Sequence, residues 1–246
     1  KHTMNSRRSF ICAAMGISAG ALLTACGGSE TNSSSGIPKT VPESQIPQST
    51  QVTPQLRTQE INGITYSMGE NFLTIGPENA ENTVRIYSDL ACPHCRMLNG
   101  HIRSIVEKKV SNKENVKFEL ITVNILSNPF KYAWSAVAGS TLAAIADKHP
   151  DSYLKAESVL LDNQPSQRSK DAVNPDYLID LLKNKDVPIN DDDMKLIKEV
   201  SYLDWVNKVT EFATNDGLDG TPLVVINDER LQNYGEAAER LRSLNN

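Results

Sequence analysis

The sequence lacks three things, and each absence removes a class of function. It has no basic excess: 25 lysines and arginines stand against 30 aspartates and glutamates, a formal net charge of −5. A nucleic-acid binder needs a basic face, so that reading is set aside. It has no apolar run suited to a membrane span. The stretch from Phe10 to Ala25 is interrupted by Gly16, Ser18 and Gly20 and falls short of the roughly 20 residues a spanning helix requires. It is also poor in cysteine, with only Cys12, Cys26, Cys92 and Cys95. Cys12 and Cys26 belong to the N-terminal apolar stretch, which leaves Cys92 and Cys95 alone in sequence that reads as folded. A pair so close together closes a tiny loop and constrains the unfolded chain little, so it is a poor structural staple.

What is present begins with targeting features. Arg7 and Arg8 precede the apolar run, as in a signal peptide over 1–25. Ser6-Arg7-Arg8-Ser9-Phe10-Ile11 resembles a twin-arginine export signal, and two arginines also suit the general secretion route. Leu23-Thr24-Ala25-Cys26 resembles a bacterial lipobox. In such signals the cysteine carries a diacylglycerol and becomes the first mature residue, and two acyl chains give stable anchoring. The expectation is an extracytoplasmic protein held to the membrane through Cys26. From 26 to 58 the chain is rich in Gly, Ser, Thr, Gln and Pro and cannot bury enough apolar surface to offset its ordering entropy. It reads as a tether.

The folded part is expected from 59 to 246. Ile61–Tyr66 suggests a first strand, Val84–Ser88 a second and Val116–Val123 a third. Between the last two, Leu98, Ile102, Ile105 and Val106 recur at helical spacing over 92–110. Strand, helix, strand in that order implies a parallel βαβ unit. Alanine-rich and amphipathic stretches separated by Pro165, Pro175 and Pro188 predict a helical insertion over about 128–214. Then Thr221-Pro222 leads into the apolar strand Leu223–Ile226, a hairpin partner at Arg230-Leu231 and a closing helix over 236–244.

Cys92-Pro93-His94-Cys95 is the motif that carries chemistry. A Cys-x-x-Cys pair can be half of a zinc site, a haem attachment or a redox dithiol. Haem attachment needs His after the second cysteine, where Arg96 stands, and zinc needs two more ligands at suitable spacing, which His101 and His149 do not supply. The redox reading fits a pair that follows a strand and opens a helix. Cys92 would then sit among unpaired N–H groups at the positive end of the helix dipole, with Pro93 in the first turn, where its missing N–H costs nothing. His94 adds positive charge. Together these predict a depressed Cys92 pKa, an attacking thiolate, and Cys95 as the less exposed resolving thiol. No metal or cofactor is called for.

Ser88-Asp89-Leu90-Ala91-Cys92-Pro93-His94-Cys95, followed by Gly220-Thr221-Pro222-Leu223-Val224-Val225-Ile226-Asn227, resembles the DsbA-like thiol–disulfide oxidoreductases. The resemblance implies an α/β, thioredoxin-like fold: βαβ and ββα halves around a central sheet, with the helices inserted between them. It implies a redox-active Cys92–Cys95 disulfide that is passed to exported, unfolded protein substrates, with a disulfide reductase or isomerase, or a non-catalytic thioredoxin-fold binding lipoprotein, as the alternatives. A membrane partner would restore that disulfide. It also implies a cis Pro222 facing the dithiol, with the Thr221 backbone pairing with substrate. Many relatives carry a proton-handling acid six residues before the first cysteine. Here that position is Ile86, and Asp89 is the nearby candidate for proton handling, with a capping or loop role as its alternative.

Overall fold

The computed structural model describes residues 49–127, 130, 132–165, 172–231 and 233–244. The leader, Cys26 and most of the expected tether lie outside these residues.

The polypeptide opens with an antiparallel hairpin, β1 (Arg57–Ile61) and β2 (Ile64–Met68), where the sequence suggested one strand over Ile61–Tyr66. Asn62 and Gly63 turn the chain with φ of 54° and 72°, the pair of left-handed residues that a tight hairpin turn demands. A short third strand, β3 (Leu73–Ile75), escaped the sequence reading because three residues show no period. It ends at Gly76, whose φ of +116° and close approach to the Val116 carbonyl leave no room for a Cβ.

The βαβ unit follows as β4 (Asn82–Asp89), α1 (Pro93–Ser111) and β5 (Val116–Val123), with β4 and β5 parallel. From Ile86 to Asp89, and from Phe118 to Val123, successive residues are all buried. This is the signature of central strands covered on both faces. Leu98, Ile102 and Val106 turn the apolar stripe of α1 into the core, with Ile105 half-buried at its margin.

Five α-helices then precede the second half: α2 (Trp134–Lys148), α3 (Tyr153–Asp162), α4 (Pro175–Asn184), α5 (Asp191–Lys198) and α6 (Leu203–Asn215). α2 is buried along nearly its whole length, which its alanines, Gly139 and small hydroxyls permit at close approach. Asn190 and Asp193 form a reciprocal capping box at the start of α5. The chain closes with β6 (Leu223–Ile226), β7 (Glu229–Leu231) and α7 (Tyr234–Ser243). The described residues make one seven-stranded sheet in the order β1-β2-β3-β5-β4-β6-β7, antiparallel except for β4 with β5. α1 packs against α7 and α3, while α2 and α6 cover β5.

Part of the expected tether is seated on the helices. Gln51 accepts from the Asp204 N–H at 2.9 Å, Val52 N–H donates to the Ser201 carbonyl at 2.8 Å, and Gln55 N–H donates to the buried Asp147 carboxylate at 3.0 Å. Asp147 also accepts from Tyr202 at 2.6 Å. A polar, proline-containing segment is held here by hydrogen bonds, which composition does not reveal.

Candidate active site

The carboxyl end of β4 delivers the chain into α1. Cys92 is the N-cap, with extended φ and ψ of −84° and 117°, and Pro93 occupies the first turn. No acidic residue lies in that turn, so nothing there opposes negative charge at the sulfur. Both cysteines are free thiols in this structure, and both are covered, Cys92 being 3% and Cys95 2% exposed. The expected contrast between an exposed first and a buried second cysteine is therefore not a contrast of surface area. The Thr221 carbonyl caps Cys92, accepting from its thiol at 3.3 Å.

The contrast lies in ionisation. The Cys95 thiol donates to the Cys92 sulfur, and this outweighs burial; with the Thr221 side chain and the N–H groups of Cys95 and His94, it lowers the Cys92 pKa to about 6. Burial and the nearby Cys92 push Cys95 far above the ordinary thiol range. His94 contributes through its backbone N–H. Its imidazole is exposed and lies beside Tyr234, with ring centroids 6.3 Å apart. Among the described residues no further ligand set joins the two thiols into a metal site.

The Thr221–Pro222 bond is cis and stands against the dithiol, 129 residues from Cys92 in sequence. Asp89 ties three segments of the chain together. Its carboxylate accepts from the Ala91 N–H at 2.9 Å, the Ser135 hydroxyl at 2.7 Å, and the Ile125 and Leu126 N–H groups at 2.9 Å each. Donors fill both oxygens. Asp89 meets Cys95 only through its backbone N–H, 3.4 Å from the sulfur.

Three groups at the site were missed in the sequence. Trp134 Nε1 donates to the Leu90 carbonyl at 2.9 Å, and Gln164 donates to the Leu90 and Cys92 carbonyls at 3.1 and 3.3 Å. They hold the loop before Cys92 from the helical insertion. Tyr234, first residue of α7, has its pKa raised by burial and then by the charges of both cysteines.

The reduced protein should lose its Cys92 reactivity toward iodoacetamide as pH falls, with a midpoint near pH 6. Cys95→Ala should move that midpoint upward, because it removes the strongest support of the thiolate. Rates of alkylation followed by mass spectrometry check both. An unshifted midpoint in Cys95→Ala would show that the second thiol does not stabilise the first.

Comparison with known proteins agrees with this geometry. The family model described as thioredoxin matches residues 69–244, well over half of the chain. The disulfide bond formation protein D of Bacillus subtilis is 27% identical over 172 residues, covering 67% of this chain and 72% of the relative. Among solved structures, the thiol-disulfide oxidoreductase MdbA of Corynebacterium matruchotii superposes with a TM-score of 0.62 at 22% identity, covering 72% of this chain and 90% of its own. Oxidised BdbD of Bacillus subtilis does so with 0.56 at 21%, covering 68% and 91%. The chain belongs to the thioredoxin family.

Proposed function

We propose that this protein donates disulfides to exported proteins outside the cytoplasm, anchored to the membrane through a lipid on Cys26. The observation that supports the direction of transfer is the pairing of a Cys92 thiol lowered to about 6 with a Cys95 thiol that does not ionise. A stabilised thiolate stabilises the reduced protein, so its disulfide is readily given away. The name of the Bacillus subtilis relative, a disulfide bond formation protein, is in keeping with this. Met97, two residues beyond Cys95, and Ile125, whose N–H donates to Asp89, are exposed apolar side chains, which suits unfolded chains. The half-exposed Thr221 backbone supplies an edge for an extended substrate. Substrate thiolate attacks Cys92 of the disulfide, Cys95 leaves, and a second substrate thiol releases Cys92. A membrane partner then re-oxidises the dithiol.

Equilibration with glutathione tests the direction. The potential is expected between about −120 and −180 mV, the range of dedicated oxidants and isomerases, and a value near −270 mV, typical of a reductant, would overturn it. Mass spectrometry of the mature N-terminus tests the anchor, which an unmodified Cys26 would remove. Among the described residues no helix is long and apolar enough to cross a membrane.

A further inference from the structure

Behind Cys95 lies a cavity of about 20 Å³, lined by Ile86 and Ser88 of β4, Cys95 and Arg103 of α1, and Glu157 and Leu161 of α3. This exceeds the roughly 10–15 Å³ that one water needs. Glu157 is 8% exposed, and no hydrogen bond or ion pair is made by its carboxyl among the described residues. Arg103 does not neutralise it by contact. That guanidinium pairs with Glu107 at 2.6 Å and with the Ser158 hydroxyl, and its Nε is buried without a partner. An uncompensated buried carboxyl is costly to keep, and this one shares a cavity with the sulfur that must gain and lose a proton in every cycle.

We propose that Glu157 is the proton donor and acceptor for Cys95, acting across the cavity they share. The proposal rests on the thiol-exchange reading above. When substrate thiolate attacks Cys92, the Cys92–Cys95 bond breaks and a substrate–Cys92 bond forms. Cys95 leaves with the electron pair and takes the proton of the Glu157 carboxyl. When the disulfide is remade, the Glu157 carboxylate accepts the Cys95 proton. The Cys95 thiolate then attacks Cys92 and expels the partner's sulfur as thiolate. Burial pushes the Glu157 pKa up to about 7, partly offset by Arg103, so near neutrality both forms are populated as such a role requires. The groups that face it are Cys95 and Arg103 from α1 and Tyr153 from its own helix, whose hydroxyl is paired with Thr122 of β5 at 2.9 Å. The strands contribute Ile86, Ser88 and Leu120, none of which titrates in this range. Ile86 brings an apolar side chain from β4 to this cavity, so the carboxyl that reaches it is that of Glu157 from the helical layer.

The test is the rate at which Cys95 closes on a preformed Cys92–glutathione mixed disulfide, followed by acid quench from pH 5 to 9. In the wild type the rate is expected to rise through an inflection near pH 7. In Glu157→Gln the inflection should vanish and the rate at pH 7.5 should fall about 100-fold, the lower end of what a positioned proton acceptor supplies. An inflection that persists in Glu157→Gln overturns the proposal, as does a wild-type profile without one. Should Glu157→Gln not fold, the wild-type profile and Glu157→Asp decide. The shorter acid should close more slowly with its inflection kept, and closure at the wild-type rate overturns the assignment. Failure of the mixed disulfide to form at all would instead count against thiol exchange.

Discussion

Cys92→Ser is expected to abolish disulfide exchange, whereas Cys95→Ser is expected to accumulate mixed disulfides with substrate. The difference follows from which sulfur is ionised. With a pKa of about 6, Cys92 is roughly nine-tenths thiolate at pH 7, and only the thiolate attacks. Cys95 is pushed far the other way by burial and by its neighbour, so it cannot substitute as the attacking group. It acts after Cys92 has formed a bond, when the partner sulfur is adjacent. Surface area would not predict this, since the two residues are equally covered. Neither variant should fail by unfolding. Cys92 is an N-cap, where serine is among the preferred residues, and Cys95→Ser is a small change at a site already in contact with an N–H donor. Incubation with a reduced, unfolded protein, acid quench and non-reducing electrophoresis read the result. Trapping by both variants to the same extent would contradict the assignment.

The parts of this site that the sequence reveals are those written in short motifs. Cys92-Pro93-His94-Cys95 after a strand and Thr221-Pro222 before one locate the dithiol and the loop facing it, although 129 residues separate them. The central βαβ unit was legible because Leu98, Ile102 and Val106 keep helical spacing between two apolar runs. Asn62-Gly63 carries a hairpin-turn signal that divides the stretch around Ile61–Tyr66 into two strands. The rest depends on burial that no local pattern carries. Ser135, Gln164 and Glu157 are polar residues on or beside helices and would ordinarily face solvent. They are buried because α2 and α3 pack against the sheet and against α1. Nothing in the sequence around Ile86 shows that Glu157 stands at the same cavity. The coupling arises in the tertiary packing of α3 on α1.

Asp89→Ala should cost about 3–5 kcal/mol, because it strips the acceptor from four buried donors, each worth about 1–3 kcal/mol and not fully additive. Asp89 is 0% exposed, and its two oxygens receive four donors from three chain segments: its own loop, 125–126 and the start of α2. Truncation leaves three backbone N–H groups and one hydroxyl without an acceptor. Against a total stability of roughly 5–15 kcal/mol, the loss is large enough to move the urea midpoint markedly. Asp89→Asn should cost less. Its carbonyl can still accept from Ile125 and Leu126 while its amide turns to Ser135, whose hydroxyl can rotate to accept. Only the Ala91 N–H then loses its partner. The order wild type, Asn, Ala is specific to a carboxylate acting as acceptor. A carboxyl kept to move protons would lose activity in Asn and Ala alike while stability hardly changed. Burial raises the Asp89 pKa against its four donors, so the folded state binds the proton more readily than the unfolded chain does. Stability contributed by this group therefore falls as pH rises above the ordinary aspartate range, and both variants should lose that part of the pH dependence. Urea unfolding of the three proteins at pH 5 and pH 8, with the exposed Asp219→Ala as control, measures both effects. Equal midpoints for Asp89→Ala and the control would show that the carboxylate does not hold the three segments together.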